Sequence, residues 1–241
     1  LVKPAAHNGR LSRGGADGAR THTASYDGFA AGLRANGIAV YAPTDDIRAV
    51  EEPYLRTDSH WTPRAMEAVA TGIARHVRAD IPEPPTARRY TRRLVEAANT
   101  GDIAAMLNLP PGSPLVAPES VAIDEVLSPE GAPWAADPDA RVLLLGDSFT
   151  NIYSMAAMGW GVGAGLAEQL SYALQEPVDR IALNAGGARA AREALAQALA
   201  RGDDRLQGKD VVVYTFASRE LSSGDWRVFE MRRATKPAVA P

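Results

Sequence analysis

The amino-acid sequence predicts a three-layer α/β fold with a central, mostly parallel β-sheet. From Arg141 onward, short apolar strands alternate with helical stretches, and this alternation is typical of a parallel sheet that helices cover on both faces. The chain has 241 residues, of which 46% are hydrophobic, and this is enough to bury one large core. We therefore expect one domain over residues 25–235, between a flexible segment at residues 1–24 and a tail at residues 236–241.

The N-terminal part begins without any regular pattern. Residues 5–23 are rich in Gly, Arg and Ser and lack apolar periodicity, which indicates a flexible loop. From Tyr26, apolar residues share one helical face, which predicts a helix that ends at Asn36-Gly37. The apolar run at residues 38–41 then predicts a short strand.

The next elements lead to a strong helix signal. Residues 53–56 form a second strand candidate. Thr62-Pro63 combines a hydroxyl residue at the N-cap with proline at the first helical position, and it predicts a helix over residues 63–78.

Residues 80–140 are less regular. They contain ten of the 17 prolines, which predicts an irregular insertion packed on the same domain. Within it we expect one helical piece at residues 92–98 and one strand at residues 121–127.

The C-terminal part supplies the parallel sheet. We expect strands at residues 141–145, 178–183 and 210–216, with a helical stretch up to about residue 174 and a helix over residues 188–200. Functional groups in such sheets lie just past the carboxyl ends of the strands. This brings three loops to one edge of the sheet: those at Ser148, at Gly186-Gly187 and after Phe216.

Composition excludes several classes of protein. The net charge of −3 argues against binding to a nucleic-acid backbone, and the absence of cysteine excludes disulfides, thiolate metal sites and a cysteine nucleophile. The longest apolar runs, such as residues 142–145, are far shorter than a membrane span requires. The chain starts at Leu1 instead of Met and shows no signal peptide, so we interpret it as a mature form or an excised domain that has lost any targeting segment.

Gly146-Asp147-Ser148 is the first candidate for chemistry. A serine at a tight turn from strand to helix exposes its hydroxyl above the sheet edge, beside the free N–H groups of the helix N-terminus. The alternative is that Ser148 is only the N-cap of the next helix.

Asp58-Ser59-His60 is the second candidate. In an extended segment, Asp58 and His60 project to the same side, so the carboxylate can bond the imidazole and leave its other nitrogen free to take a proton. The alternative is that Asp58 caps the next helix and His60 is a surface residue. The other histidines, His7, His22 and His76, have no such partner.

Together these motifs carry a family resemblance. Asp58-Ser-His60-Trp61-Thr62-Pro63, followed by Gly146-Asp147-Ser148-Phe149, resembles the alginate O-acetyltransferase family typified by AlgJ and AlgX. Further matching stretches are Tyr54-Leu-Arg-Thr-Asp58, Gly101-Asp-Ile103, Phe216-Ala-Ser-Arg-Glu-Leu221 and Gly224-Asp-Trp226. Members of this family are SGNH-hydrolase-like proteins with a flavodoxin-like fold.

The resemblance implies a function and a set of roles. Ser148 would be the nucleophile, His60 its general base and Asp58 the group that orients His60, in O-acetylation of an extracytoplasmic polysaccharide through an acetyl-serine. It also implies a periplasmic location, an anchor through a segment absent from this chain, and an acetyl donor supplied by a membrane-bound O-acyltransferase. We expect no cofactor, no metal and no nucleic-acid partner.

The rest of the substrate site is less defined. We expect the oxyanion hole to use the Ser148 N–H and the loop at Gly186 and Gly187. The Gly-x-Asn-Asp block of SGNH esterases is absent after the third strand, so Tyr214 or Arg219 is the candidate for a further donor. Arg219 could instead form an ion pair with Glu220 or Asp225.

Further candidates are surface contacts. Trp61, Trp160 and Trp226 could stack on sugar rings, although a tryptophan is more often a core residue, and Trp61 is the strongest exception because it adjoins His60. The basic cluster at residues 88–93 could attract an anionic polysaccharide or could be a solvated face.

Three other functions remain open at this stage. An SGNH-type carbohydrate acetylesterase would use the same three residues, a polysaccharide-binding subunit would keep the fold without catalysis, and a metal hydrolase would use Asp58 and His60 as ligands.

Overall fold

A computed structural model describes residues 24–83, 89–110, 112–113 and 116–232 of the chain. Within these residues the helices are α1 (Ala24–Ala35), α2 (Thr44–Arg48), α3 (Pro63–Asp80), α4 (Asp102–Met106), α5 (Ser148–Asn151), α6 (Leu166–Leu174), α7 (Gly187–Ala200) and α8 (Glu220–Ser223). The strands are β1 (Thr91–Asn99), β2 (Glu119–Leu127), β3 (Val142–Gly146), β4 (Asp179–Ala182) and β5 (Val211–Tyr214).

The central sheet has three parallel strands in the order β4-β3-β5. Every residue of β3 is buried, because helices cover both faces. Leu143 and Leu145 pack with α7, whereas Leu144 belongs to a larger core cluster with α3 and α6. These are the three layers that the alternating sequence pattern predicts, and the fold class is confirmed.

Several elements agree with the sequence-based expectations. Helix α1 and the helix that begins at Pro63 are present, and the three parallel strands lie where predicted: β3 is shifted by one residue, and β4 and β5 are shorter by two and three residues. Thr62 is the N-cap of α3, but its hydroxyl donates to the Glu52 carbonyl at 2.9 Å instead of capping the helix. The predicted flexible segment and C-terminal tail lie outside the described residues, except for Ala24.

The two strands expected before α3 are wrong. Residues 38–41 are irregular, because no described strand lies beside them, and Ile38 is half exposed. Residues 53–56 contribute one isolated bridge, between Tyr54 and Trp61. The N–H of Arg56 donates to the carboxylate of Glu119 and not to a neighbouring strand.

The helix expected at residues 92–98 is also wrong, because this segment is strand β1. It pairs antiparallel with β2 along its whole length, from Thr91 opposite Leu127 to Asn99 opposite Glu119. Ile123 and Val126 of β2 are buried in the main core. Pairing with a strand that packs on the core outweighs the local helix propensity of Arg-Arg-Leu-Val-Glu-Ala-Ala. We call this pair of strands the β1–β2 ribbon.

The long helical stretch expected after Ser148 is broken into three pieces. Helix α5 has four residues, a 3-10 helix follows at Ala156–Met158, and α6 begins at Leu166. Gly159, Gly161 and Gly163 between them have φ values of 78°, 97° and 69°, which a right-handed helix cannot contain. None of the described helices is both long and apolar enough to cross a membrane.

Candidate active site

The turn after β3 presents the Ser148 hydroxyl. Asp147 is the N-cap of α5, and its carboxylate accepts hydrogen bonds from the Phe149 N–H at 2.9 Å and from the Ala217 N–H at 3.2 Å. The capping function that was the alternative for Ser148 therefore belongs to Asp147. Ser148 is the first residue of α5, so its backbone N–H has no acceptor within the helix.

The imidazole of His60 lies between Ser148 and Asp58. Its Nε2 is 2.8 Å from the Ser148 hydroxyl oxygen, and its Nδ1 is 2.6 Å from Oδ1 of Asp58. His60 is 4% exposed, and its ring packs on Phe149 with a centroid distance of 4.7 Å. The alternative of a surface histidine is therefore wrong.

The Asp58 carboxylate accepts hydrogen bonds from several described groups. The His60 ring and the His60 backbone N–H reach Oδ1, while the Trp160 indole N–H at 2.9 Å and the Asp102 N–H at 3.2 Å reach Oδ2. Burial acts to raise the pKa of Asp58, but the hydrogen bonds from His60 and Trp160, the interaction with the His60 charge and the Asp102 N–H together hold it well below its ordinary value of 3.8. The carboxylate is therefore an ionised acceptor and not a cap of α3.

Two carboxylates at the end of the β1–β2 ribbon hold the segment that carries Asp58 and His60. Glu119 accepts hydrogen bonds from the Arg56 and Thr57 N–H groups at 3.0 and 2.9 Å. Asp102 accepts the Ser59 N–H at 2.6 Å and also the Ser59 hydroxyl. These contacts replace the strand pairing that the segment lacks, so the insertion determines where His60 lies.

Gly101 allows this close approach. A Cβ at this position would lie 2.4 Å from the Asp58 Cβ and 2.6 Å from the Thr57 carbonyl oxygen. No side chain larger than hydrogen fits here without displacing Asp58.

Three side chains of this region also have the composition of a metal site. Ligand atoms of Asp58, His60 and Asp102 lie within 4.8 Å of one another. However, the oxygens of both carboxylates accept hydrogen bonds from N–H or O–H groups, and these donors would point at a cation. The donor set fits a hydrogen-bonded chain better than a metal centre.

Comparison with known proteins identifies the family. The model of the SGNH hydrolase-like domain of the acetyltransferase AlgX matches residues 4–218. The chain belongs to this family. No curated protein sequence matches the chain.

Solved structures share the fold. The O-acetyltransferase domain of Pseudomonas putida AlgJ has 20% sequence identity and a TM-score of 0.70, over 92% of this chain and 74% of that one. Pseudomonas aeruginosa AlgX has 17% identity and a TM-score of 0.54, over 78% of this chain and 42% of that one. The match therefore spans less than half of the AlgX chain.

Three other residues predicted for the oxyanion hole, Gly186, Gly187 and Tyr214, lie at the start of α7 or contact it. The Ala188 N–H, next to Gly186 and Gly187 at the start of α7, donates to the Glu220 carboxylate at 3.0 Å. The Tyr214 hydroxyl donates to the Ala188 carbonyl.

Arg219 lies beside Phe149, the residue that follows Ser148. Its guanidinium carbon is 5.7 Å from the centroid of the Phe149 ring, its side chain is 57% exposed, and its Nε is 3.8 Å from a carboxylate oxygen of Glu220. The ion pair with Glu220 that the sequence offered as an alternative is therefore present but long, and more than half of the side-chain surface is exposed.

Two of the three tryptophans considered for sugar stacking are buried. Trp61 is 3% exposed and meets Phe149 edge to face at 5.4 Å, so no face of its ring is open to a sugar. Trp160 is fully buried, and its indole N–H donates a hydrogen bond to the Asp58 carboxylate. Trp226 remains partly exposed and packs against Phe216.

The sequence carries no local signal for the role of Glu119 or for the contact of Trp160 with Asp58. Asp102 was noted only within Gly101-Asp-Ile103.

Asp58→Asn should reduce stability in a pH-dependent manner. The folded-state pKa of Asp58 is depressed, so its ionisation stabilises the fold above the unfolded-state pKa, and this contribution is lost as the pH falls towards the folded-state pKa. The difference in the free energy of unfolding between wild type and Asp58→Asn, measured by urea denaturation, should be largest near neutral pH and decrease below about pH 4. A difference that is constant or grows on acidification would contradict this assignment.

Proposed function

We propose that the protein is an O-acetyltransferase that transfers acetyl groups to hydroxyl groups of a polysaccharide through an acetyl group on Ser148. The observation that carries the proposal is the continuous hydrogen-bonded chain from Asp58 through His60 to Ser148, with heavy-atom distances of 2.6 and 2.8 Å. This is the arrangement in which a base removes the proton from a hydroxyl nucleophile. Membership in an acetyltransferase family supports the same reaction.

In the first half-reaction, Ser148 Oγ attacks the carbonyl carbon of the acetyl donor, while His60 Nε2 takes the hydroxyl proton. The tetrahedral intermediate then breaks its bond to the donor, and the leaving group receives the proton from His60. Ser148 is left as an acetyl ester. The Asp58 carboxylate accepts a hydrogen bond from Nδ1–H of His60 throughout and stabilises the imidazolium.

In the second half-reaction, a sugar hydroxyl is the nucleophile. His60 Nε2 takes its proton, and the sugar oxygen attacks the carbonyl carbon of acetyl-Ser148. The intermediate collapses with release of the Ser148 oxygen, which recovers a proton from His60. The products are an acetylated sugar and the free enzyme, so each cycle uses one donor and one acceptor.

The donor and the location follow the family resemblance. We propose that a membrane-bound O-acyltransferase supplies the acetyl group and that the protein acts outside the cytoplasm, in the periplasm. Recovery of such a membrane protein together with this protein, after crosslinking in cells and detergent extraction, is the check.

Ser148→Ala should abolish the covalent step. Wild-type protein incubated with an activated acetyl ester should gain about 42 Da, the mass of one acetyl group in place of a proton, and peptide mapping should place the group on Ser148. The variant should show no adduct, and turnover should fall by about 10³-fold or more.

The matched control is Ser120→Ala, which removes the hydroxyl of an exposed serine on β2 and should leave both readouts unchanged. If the wild-type protein shows neither adduct nor turnover and Ser148→Ala binds polysaccharide as the wild type does, the non-catalytic binding subunit is favoured. An adduct on another residue would also contradict the proposed nucleophile.

An acceptor experiment separates transfer from ester hydrolysis. With an acetyl ester and an oligosaccharide present together, we expect acetylated sugar by mass spectrometry and faster loss of the Ser148 adduct than in water alone. The reason is that the bound sugar hydroxyl is held near the acetyl carbonyl. Release of acetate at one rate with or without the oligosaccharide would instead identify a carbohydrate acetylesterase.

We also propose that Arg219 assists the Ser148 N–H in stabilising the oxyanion. The exposed guanidinium near Phe149 supports this role. Arg219→Ala should slow acetylation of Ser148 by about 10²- to 10³-fold in stopped-flow or quenched-flow measurements, because one preorganised donor is lost. Arg227→Ala, on the same C-terminal segment and paired with Asp225 at 2.7 Å, is the control. Equal rates in the two variants would remove Arg219 from the oxyanion hole.

A further inference from the structure

The Asp58 carboxylate is held by a residue that lies outside the Asp58–His60–Ser148 chain. The indole of Trp160 is fully buried and donates its N–H to Asp58 Oδ2 at 2.9 Å, while Oδ1 accepts from His60 Nδ1 at 2.6 Å. An indole N–H is a donor only, so it has one possible role towards a carboxylate. Each oxygen of Asp58 therefore has its own fixed side-chain donor.

The position of Trp160 is set by the glycines on either side of it. Gly159 has a φ of 78°, and a Cβ there would lie 2.3 Å from Nδ2 of Asn99. Gly161 has a φ of 97°, and a Cβ there would lie 2.3 Å from Cδ1 of Ile123. Asn99 and Ile123 belong to the β1–β2 ribbon, so the turn that carries Trp160 packs closely on the ribbon, and its positive φ values would strain any other residue at the flanking positions.

We propose that Trp160 is a positioning residue, which fixes the Asp58 carboxylate so that Oδ1 faces Nδ1–H of His60 and Nε2 faces Ser148. This inference rests on the function proposed above. Trp160 acts through Asp58 and touches neither the acetyl group nor the sugar.

Burial of Asp58 explains why the donor matters. Burial favours the neutral carboxyl group, and the hydrogen bonds from His60 and Trp160, the His60 charge and the Asp102 N–H favour the ionised form, so the pKa of Asp58 stays well below its ordinary value. The titratable groups on the surrounding elements are His60 on the same segment, Asp102 on α4, Glu119 at the start of β2 and Tyr153 after α5. Burial, followed by the Asp58 and Glu119 charges, strongly raises the pKa of the Tyr153 hydroxyl.

Trp160→Phe should lower kcat by about 10- to 100-fold and leave KM unchanged. The substitution keeps an aromatic ring in the core and removes one hydrogen bond to a charged group, which acts on orientation and not on substrate binding. Asp58 should hold its proton to higher pH without this donor, so its carboxyl carbon should titrate at higher pH in a ¹³C NMR titration of the variant than of the wild type. The kinetic measurement is acetyl transfer from an activated acetyl ester to an oligosaccharide at one pH.

Trp134→Phe is the matched control. Trp134 is also buried, and its indole N–H donates to the Ser171 hydroxyl at 2.8 Å, away from Asp58. This variant should lose stability without changing kcat or the titration of Asp58. If Trp160→Phe leaves kcat and the Asp58 titration at wild-type values, or if both variants change them equally, the proposal is overturned.

The indole N–H signals test the contact without a Trp160 variant. The chain has four tryptophans, so a ¹⁵N–¹H spectrum of the wild-type protein contains four indole signals. The Trp160 signal should move upfield in Asp58→Asn, because a neutral amide is a weaker acceptor than a carboxylate, while the Trp134 signal should not move. An unmoved Trp160 signal overturns the inference, even if Trp160→Phe fails to fold. If wild-type protein forms no acetyl-serine, the proposed function fails, and the spectrum still decides whether Trp160 binds Asp58.

Discussion

The structure of this site depends on keeping one buried carboxylate ionised. Asp58 is 4% exposed, and a carboxylate away from water is stable as an anion only when hydrogen-bond donors replace the water. The donors come from parts of the chain that are far apart in sequence: the His60 ring, the backbone at Asp102 and the Trp160 indole. Once these donors are in place, the imidazole has a fixed orientation, and its Nε2 faces Ser148.

The two halves of the site are delivered by different kinds of structure. Ser148 follows β3, the central and fully buried strand, so its position is set by the sheet. The segment with His60 has almost no regular backbone pairing, and it is fixed by the carboxylates of Glu119 and Asp102 at the end of the β1–β2 ribbon. The ribbon therefore does for His60 what the parallel sheet does for Ser148.

Sequence patterns were informative where the structure is determined locally. The apolar strands of the parallel sheet and Thr62-Pro63 before α3 are visible in the sequence, and so is the spacing of Asp58, His60 and Ser148. The β1 strand was mistaken for a helix because its partner residues lie 20 to 36 positions away, so its pairing has no local signal. The broken helix before Leu166 depends on glycines with positive φ, and the contacts of Glu119 and Trp160 depend on tertiary packing.

The central claim is that Ser148 Oγ reacts with the acetyl donor while His60 and Asp58 keep their hydrogen-bonded geometry. A crystal structure of the protein trapped after brief reaction with an acetyl ester tests it most directly. The account predicts an ester on Ser148 Oγ, its carbonyl oxygen within hydrogen-bond distance of the Ser148 N–H, and Asp58 still bonded to His60. An unmodified Ser148 beside an acetyl group on another residue, or a His60 ring turned away from Ser148 and Asp58, would contradict it.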